Sequence, residues 1–180
     1  MSGRPAPERL RWGWHRLDPS TARRIVAGAD IGDGDLVVDL GAGTGALTAA
    51  LVAAGARVIA VECHAGRADT LRRRFADDPV TVIELDLHAL HLPSHPFRVV
   101  ANPPWTAAEA VRATLLRSPV LLQADLVIPR WLARRWATGH DRIAMGRSIR
   151  AESFSPPAPT GAAIAVIHGR GHRPAQRRAR

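Results

Sequence analysis

Residues 36–45 of the chain are Leu-Val-Val-Asp-Leu-Gly-Ala-Gly-Thr-Gly. The mainly apolar run from Leu36 to Leu40 predicts a short strand that is buried on both faces of a sheet. The turn after it contains three alternating glycines, which let the backbone approach a ligand closely: Gly41, Gly43 and Gly45. Because Ala46 to Ala54 predicts a helix directly after the turn, the helix N-terminus also faces that ligand.

The same alternation of strand and helix continues on both sides of this unit. A helix is predicted from Asp18 or Ser20, where an N-cap and Pro19 precede an apolar period. Further strands are predicted at 57–62, 80–85, 97–101 and 120–128, and further helices at 65–76, 106–117 and 129–137. The last two strands, 147–153 and 162–168, have no helix between them and are expected to be antiparallel partners at one edge.

This pattern predicts an α/β fold, a Rossmann-like, mostly parallel sheet of seven strands with helices on both faces. The length of 180 residues suits one domain. We expect that domain at residues 18–168, between a basic N-terminal segment at 1–17 and a basic, disordered tail at 169–180.

Composition restricts the classes of function. No run of eighteen apolar residues and no signal peptide is found, so a cytoplasmic protein without a membrane partner is expected. The single cysteine, Cys63, excludes an internal disulfide and a multi-cysteine metal site, and no metal is predicted. We also expect a monomer.

The charge balance favours a polyanionic partner. All 25 basic residues are arginine, and the formal net charge is +9. A GC-rich genome would explain arginine in place of lysine, but it would not explain the excess of positive charge. Arginine interleaved with tryptophan suits single-stranded RNA, so RNA contacts are predicted near the N-terminus and on the helix at 129–137: Arg11, Trp12, Trp14, Arg130, Arg134 and Arg135.

The glycine-rich turn predicts a nucleotide-like cofactor. Dinucleotide-binding folds use a related turn, G-x-G-x-x-G, whereas here the spacing is G-x-G-x-G and an acidic residue, Asp39, precedes it. A carboxylate at this position repels a pyrophosphate and attracts the sulfonium and amino groups of S-adenosylmethionine. The variant therefore favours S-adenosylmethionine over a dinucleotide, and the fold class becomes that of the class I methyltransferases.

Two further carboxylates stand at consecutive strand ends. Glu62 comes seventeen residues after Gly45 and can accept both ribose hydroxyls, and Asp86 can accept from the adenine amino group of the cofactor. Their neighbours Cys63 and Leu87 are included in the predicted cofactor site, as is Asn102. Each acid alone is typical of a surface or cap, but their joint position at the carboxyl edge favours a binding site.

The fourth strand is followed by Asn102-Pro103-Pro104-Trp105. The lone pair of an aromatic amine is delocalised into its ring, so an enzyme that methylates it must localise that pair. The amide oxygen of Asn102 and the backbone carbonyl of Pro103 could accept the two amino hydrogens, and Trp105 could stack on an extruded base. Positioning rather than a strong base would then drive the transfer.

These motifs resemble the Erm family of ribosomal RNA adenine N6-methyltransferases. The resemblance rests on residues 39–48, 55–62 and 96–103, on the Asp86 segment and on Phe154 to Pro159, and it covers roughly residues 18–168. It implies that the partner is 23S rRNA and that one adenine of this RNA is methylated. It also implies resistance to macrolide, lincosamide and streptogramin B antibiotics.

The chain departs from the family pattern in three places. Trp14-His15-Arg16-Leu17-Asp18 stands where the family has Gln-Asn/His-Phe-Leu, Pro103 stands at the second position of the catalytic motif, and an arginine-rich tail stands where most members have a helical domain. The length and the Arg-Trp-Gly-Trp start are most similar to short mycobacterial members of the family. Four alternatives remain open: a 16S rRNA adenine, a DNA adenine, a protein glutamine, and an RNA-binding derivative without catalysis.

Overall fold

The computed structural model describes residues 15–171. Within this range the elements follow one another as β1 (Arg16–Leu17), α1 (Pro19–Ala27), β2 (Leu36–Leu40), α2 (Ala46–Ala53), β3 (Arg57–Glu62), α3 (Ala65–Arg74), β4 (Val80–Glu84), β5 (Phe97–Ala101), α4 (Ala108–Arg117), β6 (Leu121–Pro129), α5 (Arg130–Gly139), β7 (Ile143–Ile149), β8 (Phe154–Ser155) and β9 (Ala162–His168). Short 3-10 turns lie at Leu87–Ala89, Trp105–Ala107 and Ala151–Ser153.

Seven strands form one sheet in the order β4-β3-β2-β5-β6-β9-β7. The first five strands are parallel to one another, and β9 pairs antiparallel with both β6 and β7. The sheet thus confirms the predicted α/β class with a mostly parallel, seven-stranded sheet. Its carboxyl edge collects the loops that follow β2, β3, β4, β5 and β6, and ligands of open α/β sheets bind at this edge.

The β7 prediction was wrong in its bounds, because the strand occupies 143–149 rather than 147–153. Pairing with β9 is interrupted between Met145 and Ser148, and this irregularity obscures the period of two in the sequence. The segment Ala151–Ser153 forms a 3-10 turn instead of strand. The antiparallel edge itself is as predicted.

Helices cover both faces of the sheet. On one face α4 and α5 bury Val111, Leu115, Leu132 and Trp136 against β5 and β6. On the other face α1 and α2 bury Ile25, Val26, Leu47 and Leu51. Burial of this apolar surface contributes the main favourable term in folding and holds the strand ends in fixed register.

The chain before α1 also packs onto the domain. Leu17 is buried, and β1 pairs antiparallel with β8 through Arg16 with Ser155 and Leu17 with Phe154. Asp18 caps α1 by accepting from the N–H groups of Ser20 and Thr21, both at 2.9 Å. The last residues of the predicted basic segment therefore belong to the packed fold and bring His15 to the carboxyl edge.

Several predicted residues lie outside the described part of the chain. Among them are three predicted RNA contacts, Arg11, Trp12 and Trp14, and the tail beyond Gly171. Within residues 15–171 no helix is long and apolar enough to cross a membrane. The described side chains of His, Cys, Asp and Glu also form no group of three that could hold a metal ion.

Candidate active site

The glycine-rich turn is held in a conformation that only glycine adopts readily. Gly41, Gly43 and Gly45 have φ angles of 75°, 58° and 85°. A Cβ on Gly41 would come within 2.8 Å of Pro104 Cδ, and one on Gly45 within 2.7 Å of Phe75 Cε2. The turn is thus packed directly against the Asn102–Trp105 motif on one side and against α3 on the other.

Asp39 lies at the end of β2 beneath this turn and is completely buried. Its Oδ2 accepts from Thr48 Oγ1 at 2.7 Å, whereas Oδ1 is buried without a partner among the described residues. Burial raises the pKa of Asp39 to about 7; the nearby charge of Glu62 acts in the same direction, and the Thr48 hydrogen bond opposes both. A carboxylate in this state is stabilised by a cation brought next to it.

Glu62, at the end of β3, is bound from two sides. Its Oε2 accepts from Gly43 N at 2.9 Å, and its Oε1 accepts from His64 N at 2.9 Å and from Arg67 Nη2 at 2.8 Å. These bonds fix the carboxylate against the glycine-rich turn. Since an ionised carboxylate offers about four acceptor positions, Oε2 retains capacity for a further donor such as a hydroxyl.

The other predicted cofactor contacts lie around these acids. The Cys63 thiol is half-buried, 3.7 Å from Glu62 Oε1, and burial followed by the Glu62 charge raises its pKa, so it stays protonated. Asp86 is exposed at the end of β4, where its Oδ1 accepts from His88 N at 2.8 Å. Leu87 is buried in the core below Asp86, so only its backbone can reach a ligand at this edge.

Asn102 follows β5 and faces the same cleft as Asp39. Its Nδ2 donates to the His15 carbonyl at 2.7 Å, and its Oδ1 is buried with no partner within residues 15–171. Because a carbonyl can only accept, His15 fixes which end of the amide is nitrogen and leaves the oxygen as the unused acceptor. Pro103 is buried beside it, 3.4 Å from where a Cβ of Gly41 would stand.

Trp105 is partly buried in an aromatic group that it forms with His15 and Phe154. Its ring centroid lies 4.9 Å from that of His15 and 6.2 Å from that of Phe154, in an edge-on arrangement with the latter. The sequence placed Trp105 at the target base, and the structure also gives it a packing role. Either role requires a large flat ring at this position.

A small cleft opens at this edge of the sheet, and its lining residues include His15, Asp39, Gly41, Ala42 and Asn102. Two buried oxygen acceptors, Asp39 Oδ1 and Asn102 Oδ1, have no partner in the described part of the chain and face this cleft beside the glycine-rich turn. Such acceptors are unfavourable unless a ligand supplies donors or positive charge. A cationic group that also carries hydrogen-bond donors suits these two acceptors.

The structure brings together most, but not all, of the predicted site residues. Asp39, Glu62, Cys63 and Asn102 surround the glycine-rich turn, whereas Asp86 lies further along the edge. The predicted RNA contacts within the described chain, Arg130, Arg134 and Arg135, are exposed on α5, which begins at the same edge. Sequence reasoning missed His15 and Thr48 as partners of Asn102 and Asp39; for His15, the only signal was its place in the segment matched to the N-terminal family motif.

Comparisons with known proteins identify the family. The model of the ribosomal RNA adenine dimethylase family matches residues 15–147. A ribosomal RNA small subunit methyltransferase A from Leifsonia xyli subsp. xyli is 37% identical over 68% of this chain and 47% of its own length. An rRNA adenine N-6-methyltransferase from Bacillus licheniformis is 33% identical over 79% of this chain and 55% of its own length.

Solved structures show the same fold. The crystal structure of the 23S rRNA methyltransferase ErmE superposes with a TM-score of 0.79 at 24% identity, covering 87% of this chain and 70% of that one. This fold is that of the class I methyltransferases, which confirms the predicted fold class. The family match at residues 15–147 confirms S-adenosylmethionine as the cofactor. The chain spans about half the length of the curated relatives it matches. On the family match and these identities, the chain belongs to the ribosomal RNA adenine dimethylase family.

Proposed function

We propose that this chain transfers a methyl group from S-adenosylmethionine to the N6 amino group of an adenine in 23S rRNA. The observation that carries the proposal is a pair of buried oxygens in one cleft, Asp39 Oδ1 and Asn102 Oδ1, which have no partner among residues 15–171. Asp39 Oδ1 suits the positive charge of the methyl donor, and Asn102 Oδ1 suits the amino hydrogens of the methyl acceptor. Asn102 already spends its donor on His15, so only its acceptor remains for the target.

The cofactor would lie along the carboxyl edge of the sheet. Asp39 would face its charged end, Glu62 would accept from its ribose hydroxyls, and Asp86 with the Leu87 backbone would contact its adenine. When bound, S-adenosylmethionine supplies an activated methyl group on a sulfonium. The glycine-rich turn lets the backbone approach this ligand closely.

The target amine would be activated by hydrogen bonding at the loop after β5. Asn102 Oδ1 and the Pro103 carbonyl would each accept one amino hydrogen, which localises the nitrogen lone pair. Once methylated by the group that the cofactor would supply, the nitrogen would release its surplus proton to water. Because neither carbonyl is a strong base, most of the rate enhancement would come from positioning.

Support for 23S rRNA as the substrate comes from the Erm-like motifs at residues 39–48 and 96–103. Methylation of the peptidyl-transferase region would block macrolides, lincosamides and streptogramin B. The relatives named for the small ribosomal subunit favour 16S rRNA as the second candidate.

One experiment tests both candidates. The full chain is incubated with methyl-labelled cofactor and, separately, with 23S rRNA, 16S rRNA, DNA or a protein extract, and the labelled nucleotide is identified by mass spectrometry. We expect N6-methyladenine, mono- or dimethylated, in 23S rRNA, and raised macrolide resistance in a sensitive host. Label in 16S rRNA alone would replace the 23S assignment. Tight RNA binding without label in any acceptor would indicate the non-catalytic alternative.

A further inference from the structure

Helix α5 carries an exposed tryptophan that neither the core nor the cofactor cleft uses. Trp131 is 60% exposed, the most exposed large apolar side chain within residues 15–171. The opposite side of α5 is buried through Leu132, Ala133 and Trp136. A tryptophan in this state leaves a large flat ring in water, and tryptophan is enriched at interfaces because such a ring packs well against a partner.

The residues around Trp131 define what that partner is. Arg134 and Arg135 follow it at three and four positions, which places all three on one face of the helix, and Arg130 precedes it. All three arginines are exposed. An apolar protein surface would have to desolvate these charges, whereas a nucleic acid offers phosphates to the arginines and a flat base to the indole.

This face lies beside the predicted target site. Strands β5 and β6 pair in parallel with Ala101 opposite Leu126, so Asn102 and the start of α5 emerge from neighbouring strand ends. The two following helices are also joined, because Trp136 Nε1 donates to Glu109 Oε1 at 3.0 Å. Glu109 stands in the first turn of α4. Burial alone would raise its pKa, but the hydrogen bonds from Trp136 and Arg112, followed by the charges of Arg112 and Arg135, lower it.

We propose that Trp131 stacks on an unpaired base of the RNA next to the target adenine, while Arg134 and Arg135 pair with flanking phosphates. This inference rests on the proposed function and adds a residue that the sequence did not single out. Stacking on an exposed indole is tolerant of base identity. Trp131 would therefore hold the strand beside the target adenine rather than read the sequence.

The test compares Trp131→Ala and Trp131→Phe with a control, Ile83→Ala. Ile83 is 39% exposed on β4, the edge strand at the opposite end of the sheet from β7. Loss of stacking should raise the KM for a minimal RNA substrate by roughly 5- to 100-fold in Trp131→Ala, and much less in Trp131→Phe. The kcat at saturating RNA, the cofactor affinity and the circular dichroism spectrum should stay as in the wild type, and Ile83→Ala should change nothing.

Different outcomes would refute the proposed function and the stacking role of Trp131. A wild-type chain that methylates no RNA refutes the proposed function. An active wild type whose KM is the same in Trp131→Ala refutes the stacking role alone. Sedimentation that shows a dimer lost in Trp131→Ala would assign the surface to a second copy of the chain instead. For the arginines, Arg134→Ala and Arg135→Ala should each reduce the salt slope of RNA binding by about 0.7 to 1, and unchanged slopes would refute their phosphate contacts.

Discussion

Two pairs of polar side chains in the same sheet use their hydrogen-bonding capacity in opposite ways. The cleft pair, Asp39 and Asn102, lies where β2 and β5 end, and each member keeps a buried oxygen without a partner in the described chain. The strand pair, Gln123 and Asp125, lies within β6, where Gln123 Nε2 donates to Asp125 Oδ2 at 2.8 Å. Each pair is an aspartate with an amide, so the difference lies in their surroundings rather than in their chemistry.

The difference indicates which pair serves a ligand. A buried acceptor without a donor costs about 1 to 3 kcal/mol, and a pair that only stabilised the fold would be satisfied internally. The strand pair meets this condition, and Arg98 on β5 provides a further favourable charge for Asp125. The cleft pair does not meet it. A cofactor and an adenine amino group would supply the positive charge and the hydrogen-bond donors that its two oxygens lack.

The largest expected effect separates the two amides. Asn102→Ala removes the acceptor proposed for the target amine, so kcat should fall by at least about 10²- to 10³-fold, as when one oriented hydrogen-bonding group is removed from other active sites. Cofactor affinity should change little. Single-turnover methylation of RNA and calorimetric titration of S-adenosylmethionine provide the two readouts.

The matched control is Gln123→Ala, which deletes an amide of the strand pair. It should lower the melting temperature and leave the methylation rate near that of the wild type. Equal loss of rate in both variants would mean that the loss arises from impaired folding rather than from impaired chemistry. Retained turnover in Asn102→Ala would reject its assignment as the activating residue.

The second prediction concerns the two aspartates and S-adenosylmethionine. Burial raises the pKa of Asp39 to about 7, and a bound cation favours the ionised form. Affinity should therefore be highest above pH 7 and should fall as the pH drops below 7 and Asp39 becomes protonated. Asp39→Asn should weaken binding by about 1 to 3 kcal/mol at pH 8 and remove its own share of this pH dependence.

Calorimetric titrations at several pH values check this expectation, with Asp125→Asn as the control. The ionisation of the cofactor itself is common to all variants, so the difference between their profiles isolates Asp39. Asp125→Asn should show the wild-type profile. A pH profile of Asp39→Asn that superimposes on the wild type would place the cationic part of the cofactor elsewhere.

The sequence predicted Asp39 and Asn102 as site residues but did not predict their hydrogen-bond partners, Thr48 and His15. Strands β2, β3 and β5 have the predicted bounds because each is an apolar run that ends at a polar or glycine residue. The contact between His15 and Asn102 spans 87 residues and depends on the docking of β1 against β8, for which the two-residue strands leave no periodic signal. The shifted bounds of β7 have a similar cause, since its irregular pairing interrupts the alternation.

The smallest expected effect concerns stability alone and sharpens the view of Asp125 as structural. Burial raises the pKa of Asp125 from 3.8 to about 6, against the opposing effects of Gln123 and Arg98. The folded state thus binds this proton more tightly than the unfolded state. Its stabilising contribution is fully present below pH 3.8 and is lost as the pH rises to about 6.

Asp125→Asn should remove up to about 3 kcal/mol of this pH-dependent change, because one pKa unit corresponds to about 1.4 kcal/mol. Urea unfolding of the wild type and the variant at pH values from 4 to 7 measures it. Asp39→Asn serves as the comparison, since the stability that the wild type gains from protonated Asp39 should be lost only as the pH rises to about 7. A parallel change in the methylation rate of Asp125→Asn at constant pH would connect the strand pair to catalysis and break the distinction between the two pairs.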